Sequence, residues 1–239
     1  PGTPAAHCEL VHGLLRDSLL HELSPAATAS GHAALAEALM DDDPQDPRAA
    51  EHVLHAGGLV MPERALRQLM RGAEHANSVG APEDAVRYVR AAIEAANQTR
   101  QVHVVADLYR DLAEVLRRTG DNSGAAAAWE QAHARYRQLG SPTGVARVEQ
   151  ELGTLAWSRG DLELAGKHFA SAEQALAGLE PSPAHARLLF AKVVNASRLG
   201  DTNTVTQTAR ELRALAGELG SPALTARALL AEAVLDYAA

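Results

Sequence analysis

Four glycines recur in this chain at a spacing of 40 residues: Gly80, Gly120, Gly160 and Gly200. Three of them stand in nearly the same phrase, which reads RTGD, SRGD and RLGD in turn. A fixed period between 20 and 50 residues is typical of a solenoid built from stacked supersecondary units. Because a solenoid presents an extended concave surface, the period predicts a binding protein more than an enzyme with an enclosed pocket.

The composition favours helices and argues against several classes of partner. Hydrophobic residues make up 46% of the chain but aromatic residues only 3%, so Ala and Leu, which are strong helix formers, must build most of the core. A net charge of −8 argues against nucleic-acid binding, which needs a basic face. The single cysteine, Cys8, excludes an internal disulfide and fits a reducing compartment.

The sequence has no apolar run of membrane-spanning length and no signal-peptide pattern, so we expect a cytoplasmic location without membrane contact. The chain opens at Pro1 rather than at a methionine, and we therefore expect it to be part of a longer protein.

The clearest copy of the repeat spans residues 145–178. Apolar residues spaced three and four apart predict two amphipathic helices, carried by Val148, Leu152, Leu155 and Ala156, and then by Leu164, Ala165, Phe169, Ala172 and Leu176. Gly160 suits the left-handed residue after a helix end, and Asp161 can cap the helix that follows. The short turn between them predicts an antiparallel helix pair.

This copy resembles a tetratricopeptide repeat, which has Leu-Gly in its first helix, Gly-Asp at the turn, and Ala, an aromatic residue and Ala in its second. The matching residues are Leu152-Gly153, Gly160-Asp161, Ala165, Phe169 and Ala172. The resemblance implies an all-α fold, a right-handed superhelix of antiparallel helix pairs, here with about 40 residues per repeat instead of 34. Helices are predicted near residues 62–79, 83–98, 102–119, 123–139, 142–159, 163–179, 183–199, 203–219 and 222–238.

The first part of the chain does not follow the period, and we predict a boundary between a helical linker segment, residues 1–46, and the repeat array, residues 47–239. Within the linker, the phrase VHGLLRDSLLHELSP followed by HAALAEAL resembles the end of the winged-helix domain in bacterial STAND ATPases. The likeness is to the large LuxR-type transcriptional regulators that include the maltose-regulon activator. Ala50-Glu51-His52 supplies the Ala-Glu-His segment that follows in that family.

This second resemblance implies that the repeats receive an inducer or an inhibitory protein and bias an ATPase located elsewhere in the polypeptide. In that family the residue matching His12 reaches the phosphates of bound ADP. No phosphate-cradling G-x-x-x-x-G-K-[ST] loop occurs in this chain, so we expect no cofactor here, and ATP or ADP only in an upstream domain. The resemblance also implies contacts with other domains of the same polypeptide, leaves homo-oligomerisation open, and gives direct DNA contact to another domain.

Two other functions remain open at this point. The array could be a plain protein–protein scaffold without a small-molecule ligand, or the sensor segment of a STAND protein with an enzymatic effector. The chain itself is not expected to be an enzyme, because it carries no nucleophile motif with partner residues. No metal site is expected either, since His52 and His55 lack a third ligand with suitable spacing.

The candidate binding surface follows from the repeat register. The same position in successive first helices, which line the concave face in repeats of this type, is occupied by Arg67, Asp107, Arg147, Arg187 and Arg227. Guanidinium groups beside aromatic rings suit an anionic or peptide-like ligand. The alternative is that these arginines pair with acidic groups on neighbouring helices. The predicted contact residues are Arg110, Arg147, Gln150, Trp157, Arg187 and Phe190, whereas Trp129 and Phe169 are expected in the core.

Overall fold

The computed structural model describes residues 23–238, and side chains as far as residue 233. All regular structure in this part of the chain is α-helical, and none of its helices has the length and apolar character needed to cross a membrane. The helices are α1 (Pro25–Asp42), α2 (Arg48–His55), α3 (Pro62–Ser78), α4 (Pro82–Gln98), α5 (Val102–Arg118), α6 (Asn122–Gln138), α7 (Pro142–Ser158), α8 (Leu162–Leu176), α9 (Pro183–Leu199), α10 (Thr202–Glu218) and α11 (Pro222–Ala238). The predicted all-α fold of packed helix pairs is confirmed. His12 and most of the phrase that resembles the winged-helix end lie outside the described residues.

Short-range hydrogen bonds cap the second helix in three of the helix pairs, α5–α6, α7–α8 and α9–α10. The carboxylates of Asp121, Asp161 and Asp201 each accept a hydrogen bond from the backbone N–H three residues later, at 2.8, 3.0 and 3.0 Å. Each carboxylate thereby satisfies one of the backbone donors that the first turn of a helix leaves unpaired. The cap predicted at Asp161 is confirmed and recurs one period before and after it.

The four periodic glycines occupy equivalent turns, as predicted. Their φ angles are +75° at Gly80, +84° at Gly120, +82° at Gly160 and +71° at Gly200. This left-handed conformation is disfavoured for residues that carry a Cβ, so glycine is the natural residue for a turn that reverses the chain so tightly. The 40-residue period of the sequence therefore corresponds to a structural period.

The chain forms two compact units, one ending at Thr99 and the other beginning at Arg100. The described part of the first unit contains α1–α4, and α2 packs closely on α3, where Gly72 leaves room for Ala50 and Tyr88. The predicted boundary between residues 46 and 47, which separates a linker from the array, stays a prediction.

The second unit stacks the pairs α5–α6, α7–α8 and α9–α10, followed by α11. Trp129 is fully buried and Phe169 is 3% exposed, so both belong to the core as predicted. Leu164 was expected on the apolar face of α8, and this was wrong, because its side chain is 42% exposed. Leu164 directly precedes the buried Ala165. Side chains of consecutive residues in an α-helix point about 100° apart, so the Leu164 side chain faces solvent.

One connection departs from the regular pattern. Helix α8 ends at Leu176, three residues before its predicted end, and residues 177–182 link it to α9. Ala177 is extended, with φ −58° and ψ 128°, and Gly178 is left-handed, with φ +78°. The period predicts that this helix continues to residue 179, but the extended Ala177 and the left-handed Gly178 end α8 at Leu176.

Candidate binding stripe of the second unit

The second unit places equivalent side chains of successive first helices on one face. Arg147 of α7, Arg187 of α9 and Arg227 of α11 form what we call the arginine stripe. An open groove of about 510 Å³ runs beside it, and both Arg147 and Arg187 line this groove. Its other lining residues include His103, Asp107, Arg110, Tyr136 and Thr143. The groove therefore brings together three of the six predicted contact residues, namely Arg110, Arg147 and Arg187.

Arg110 is engaged within its own repeat. Its guanidinium group binds Asp107 and Asp111, at 2.8 Å each, and its side chain is only 22% exposed. The hydroxyl of Tyr136 donates to the same Asp107 carboxylate at 2.5 Å. Burial, and then this hydrogen bond, raise the pKa of Tyr136 well above its usual range. Arg110 is thus part of a satisfied polar network, and both of its acidic partners lie on its own helix, α5.

Arg147 and Arg187 are different. In the described part of the chain, no hydrogen bond or ion pair reaches either guanidinium group, although Arg187 is half-buried. Burial lowers the pKa of Arg187, and the positive charges of Arg147 and Arg227 lower it further. The ion-pair alternative therefore does not account for these two arginines.

Glu151 is the acidic group whose charge acts on Arg187, and it interacts electrostatically with two other arginines as well. Burial raises the pKa of Glu151 and the charge of Glu114 raises it further, while Arg147, Arg117 and Arg187 oppose the shift. Arg117 is already bound to Glu114 through two hydrogen bonds, at 3.2 and 2.7 Å. Glu151 is thus left facing the cationic stripe, and one carboxylate cannot neutralise its three guanidinium groups.

Trp157 lies half-buried at the end of α7 rather than free in the groove. It packs against an apolar cluster that includes Phe169 and Leu176, and the guanidinium carbon of Arg198 sits 4.0 Å from the centre of its ring. Its indole Nε1 is buried and has no hydrogen-bond partner in the structure. The sequence predicts Trp157 on the concave face but not the stacking of Arg198 on its ring, which joins two successive repeats.

The remaining predicted contacts are Gln150 and Phe190. Both side chains are half-buried, and Phe190 packs against the core formed by α9, α10 and α11. The guanidinium carbon of Arg227 lies 5.7 Å from the centre of the Phe190 ring. Arg227 thus has an aromatic partner, which distinguishes it from Arg147 and Arg187. Ligand contact by Gln150, Trp157 and Phe190 stays a prediction.

The first unit contains a histidine cluster that sequence reasoning found only in part. His52 and His55 lie on α2, and the ring of His32 on α1 sits 5.1 Å from each of theirs between centroids. Nδ1 of His32 is 2.8 Å from Nδ1 of His52, and His55 pairs with Glu51 at 2.8 Å. Within the described residues, no group of three or more His, Cys, Asp or Glu side chains is arranged to hold a metal ion.

Comparison with known proteins places the chain by fold. No protein-family profile and no curated protein matches the sequence. Among solved structures, the chain resembles Rap protein complexed with competence and sporulation factor, with a TM-score of 0.58 and 14% identity over 93% of this chain and 69% of that one. It also resembles BtubC from P. vanneervenii, with a TM-score of 0.54 and 20% identity over 90% of this chain and 88% of that one.

These similarities agree with the helix pairs, the periodic turns and the equivalent stripe positions described above. The chain is an all-α helical repeat protein.

Proposed function

We propose that this chain is the ligand- or partner-sensing repeat domain of a bacterial transcriptional regulator, and that the arginine stripe is its binding surface. The observation that carries the proposal is the alignment of Arg147 and Arg187, from successive first helices, along one open groove. A repeat array functions through such surfaces, because side chains from several repeats can contact one extended ligand. Rap protein, which has a similar fold, was crystallised with competence and sporulation factor and supports a binding role.

The regulatory part of the proposal rests on the sequence between Val11 and Leu39 and on Ala50-Glu51-His52. These segments resemble the winged-helix end and the following helix of STAND regulators. In that setting the ATPase and the DNA-binding domain belong to other parts of the polypeptide. The repeat domain has neither role and contributes the signal that sets the state of the switch.

The stripe suggests how binding is transmitted. A ligand that contacts Arg147 and Arg187 touches α7 and α9, which belong to different repeats. Its binding free energy then depends on the angle between those repeats. A ligand shifts a conformational equilibrium only when it binds one arrangement more tightly than the other, and this geometry provides that dependence.

A screen by thermal unfolding tests the proposal. The purified chain is heated with a panel of short peptides, oligosaccharides and phosphorylated metabolites, and each compound that raises Tm is retested on Trp157→Ala and Arg187→Ala. We expect affinity to fall at least tenfold in both variants. Arg213→Ala is the matched control, because Arg213 lies on the second helix α10 and pairs with Glu232.

The same screen separates the sensor from the scaffold alternative. Binding of a small molecule at the stripe supports the sensor, whereas binding only of long peptides supports a scaffold. A ligand whose affinity is unchanged in both Trp157→Ala and Arg187→Ala would place the binding site elsewhere.

A further inference from the structure

The charges around the arginine stripe are not balanced by the protein. The positive charges of Arg147 and Arg227 both act on Arg187, and Glu151 is the carboxylate that opposes them there. Arg227 has the Phe190 ring as a partner. The imbalance is local, because the chain as a whole carries a net charge of −8. Positive charge is thus concentrated in a protein that is otherwise acidic.

Such an arrangement is unfavourable for the folded chain alone. A half-buried cation loses part of its hydration, and neighbouring cations repel it, so a partner is normally needed to offset the cost. Arg110 shows the usual solution in the same groove, since Asp107 and Asp111 both bind it. Arg187 is also partly buried, but no carboxylate binds it in this way. An uncompensated charge beside an open groove is the arrangement expected where a ligand supplies the missing partner.

We propose that Arg147 and Arg187 together bind an oxyanion, a carboxylate or a phosphate, carried by the ligand of this domain. The inference rests on the proposed function, because it names the chemistry of the ligand at the proposed binding surface. A guanidinium group presents its N–H donors in a fork that matches two oxygen atoms of such a group. Two arginines from neighbouring repeats can therefore hold one oxyanion between them. Glu151 stands on the same face and disfavours anions that do not engage both arginines.

The first experiment measures the stability of the free protein and needs no ligand. Arg187→Met keeps the length and apolar stem of the side chain but removes the charge. If Arg187 binds a ligand and does not stabilise the free protein, the Tm of Arg187→Met in chloride buffer will be equal to or higher than that of the unchanged chain. Arg110→Met is the matched control, and we expect it to lower Tm because it leaves Asp107, Asp111 and the Tyr136 hydroxyl without their cation.

The second experiment titrates inorganic phosphate and glutarate against chloride at matched ionic strength. Saturation with the preferred anion is expected to raise Tm of the unchanged chain by roughly 2–4 °C. The rise should disappear in Arg187→Met and in Arg147→Met, and it should persist in Arg213→Met. Whether phosphate or glutarate gives the larger rise identifies which oxyanion the groove takes.

Two results would overturn the inference. One is a fall in Tm for Arg187→Met as large as that for Arg110→Met, which would show that Arg187 is a structural residue. The other is an anion response equal in the unchanged chain and the stripe variants. If instead a neutral compound binds with an affinity that falls in Trp157→Ala and Arg187→Ala, the proposed binding surface stands and only the oxyanion is rejected. If no member of either panel binds at the stripe, both proposals fail.

Discussion

The ring of Phe169 on α8 lies in the space that a side chain at Gly153 on α7 would need. A Cβ atom built on Gly153 would lie 2.5 Å from Cε1 of Phe169 and 2.8 Å from Cδ1. This contact is well inside the usual separation of carbon atoms, which is roughly 3.5–4.0 Å. The small residue and the aromatic residue therefore form one packing unit at the crossing of the two helices.

Gly153→Ala should destabilise the second unit even though alanine is the better helix former. We expect a loss of about 1–3 kcal/mol, because Phe169 or the helix backbone must move to admit the methyl group. The measurement is urea unfolding followed by far-UV circular dichroism.

Gly217→Ala is the control for Gly153→Ala. Gly217 also lies in a helix, but nothing lies within 4 Å of a Cβ at that position. This variant should gain about 0.5–1 kcal/mol. If both substitutions shift stability in the same direction, the packing argument for Gly153 is wrong.

Phe169→Ala and Trp157→Ala should differ in their effect on stability. Removal of the buried Phe169 ring leaves a cavity between α7 and α8 and should cost about 3–5 kcal/mol. Trp157 is half-buried and lies against Arg198, which can move into part of the vacated space, so its removal should cost less. Urea unfolding of the two variants gives the order directly, and the reverse order would contradict the assignment of Phe169 to the core and of Trp157 to its margin.

The histidine cluster of the first unit predicts a loss of stability in weak acid. Burial lowers the pKa of His52 below its ordinary value of 6.5, the charges of His32 and His55 add to this effect, and Glu51 opposes it. The folded chain thus binds a proton at His52 less readily than the unfolded chain does. Stability should therefore fall as the pH drops below about 6.5. Arg87 and Tyr88 of α4 face the same cluster through Glu51.

This prediction is tested by urea unfolding of the whole chain at pH 7.5 and pH 5.5. Hydrogen exchange of the amides in α1 and α2 reports the unfolding of the first unit. We expect His52→Asn to reduce the difference between the two pH values. His103→Asn is the control, because His103 is exposed and lies on α5 in the second unit. An equal pH difference in the unchanged chain and in His52→Asn would show that other groups control the response.

The purified chain should neither bind nor hydrolyse ATP. It carries no G-x-x-x-x-G-K-[ST] phosphate loop, and a single histidine such as His12 cannot replace the backbone donors that hold a triphosphate. Isothermal titration with ATP and ADP and a phosphate-release assay check this prediction. Measurable turnover by the purified chain would overturn the assignment of this segment as a sensor domain.

The helices and turns were predictable because their signals are local. The Gly-Asp turns at Gly120, Gly160 and Gly200 combine a left-handed residue with a side-chain cap, and both depend only on neighbouring residues. The burial of Phe169 followed from the apolar spacing along α8. These features set the helix boundaries to within a few residues without any knowledge of tertiary contacts.

The contacts between distant residues were not predictable in the same way. Arg198 covers Trp157 from 41 positions along the chain, and His32 meets His52 from a separate helix. The sequence shows that Arg110 and Arg187 share one face, but not that Asp107 and Asp111 neutralise only the first of them. Such pairings depend on side-chain direction after the helices have packed, and no periodic pattern encodes that direction.

The turns at Gly120, Gly160 and Gly200 also bear on how such a gene can change. Each turn is closed by its own glycine and capped by its own aspartate, so its geometry draws on residues encoded within a few codons. Recombination between two adjacent turns removes or adds two helices, the second helix of one pair and the first helix of the next, and joins a turn to an equivalent turn. Gene length can therefore change in steps of 40 codons while the reading frame and the stacking register are both preserved.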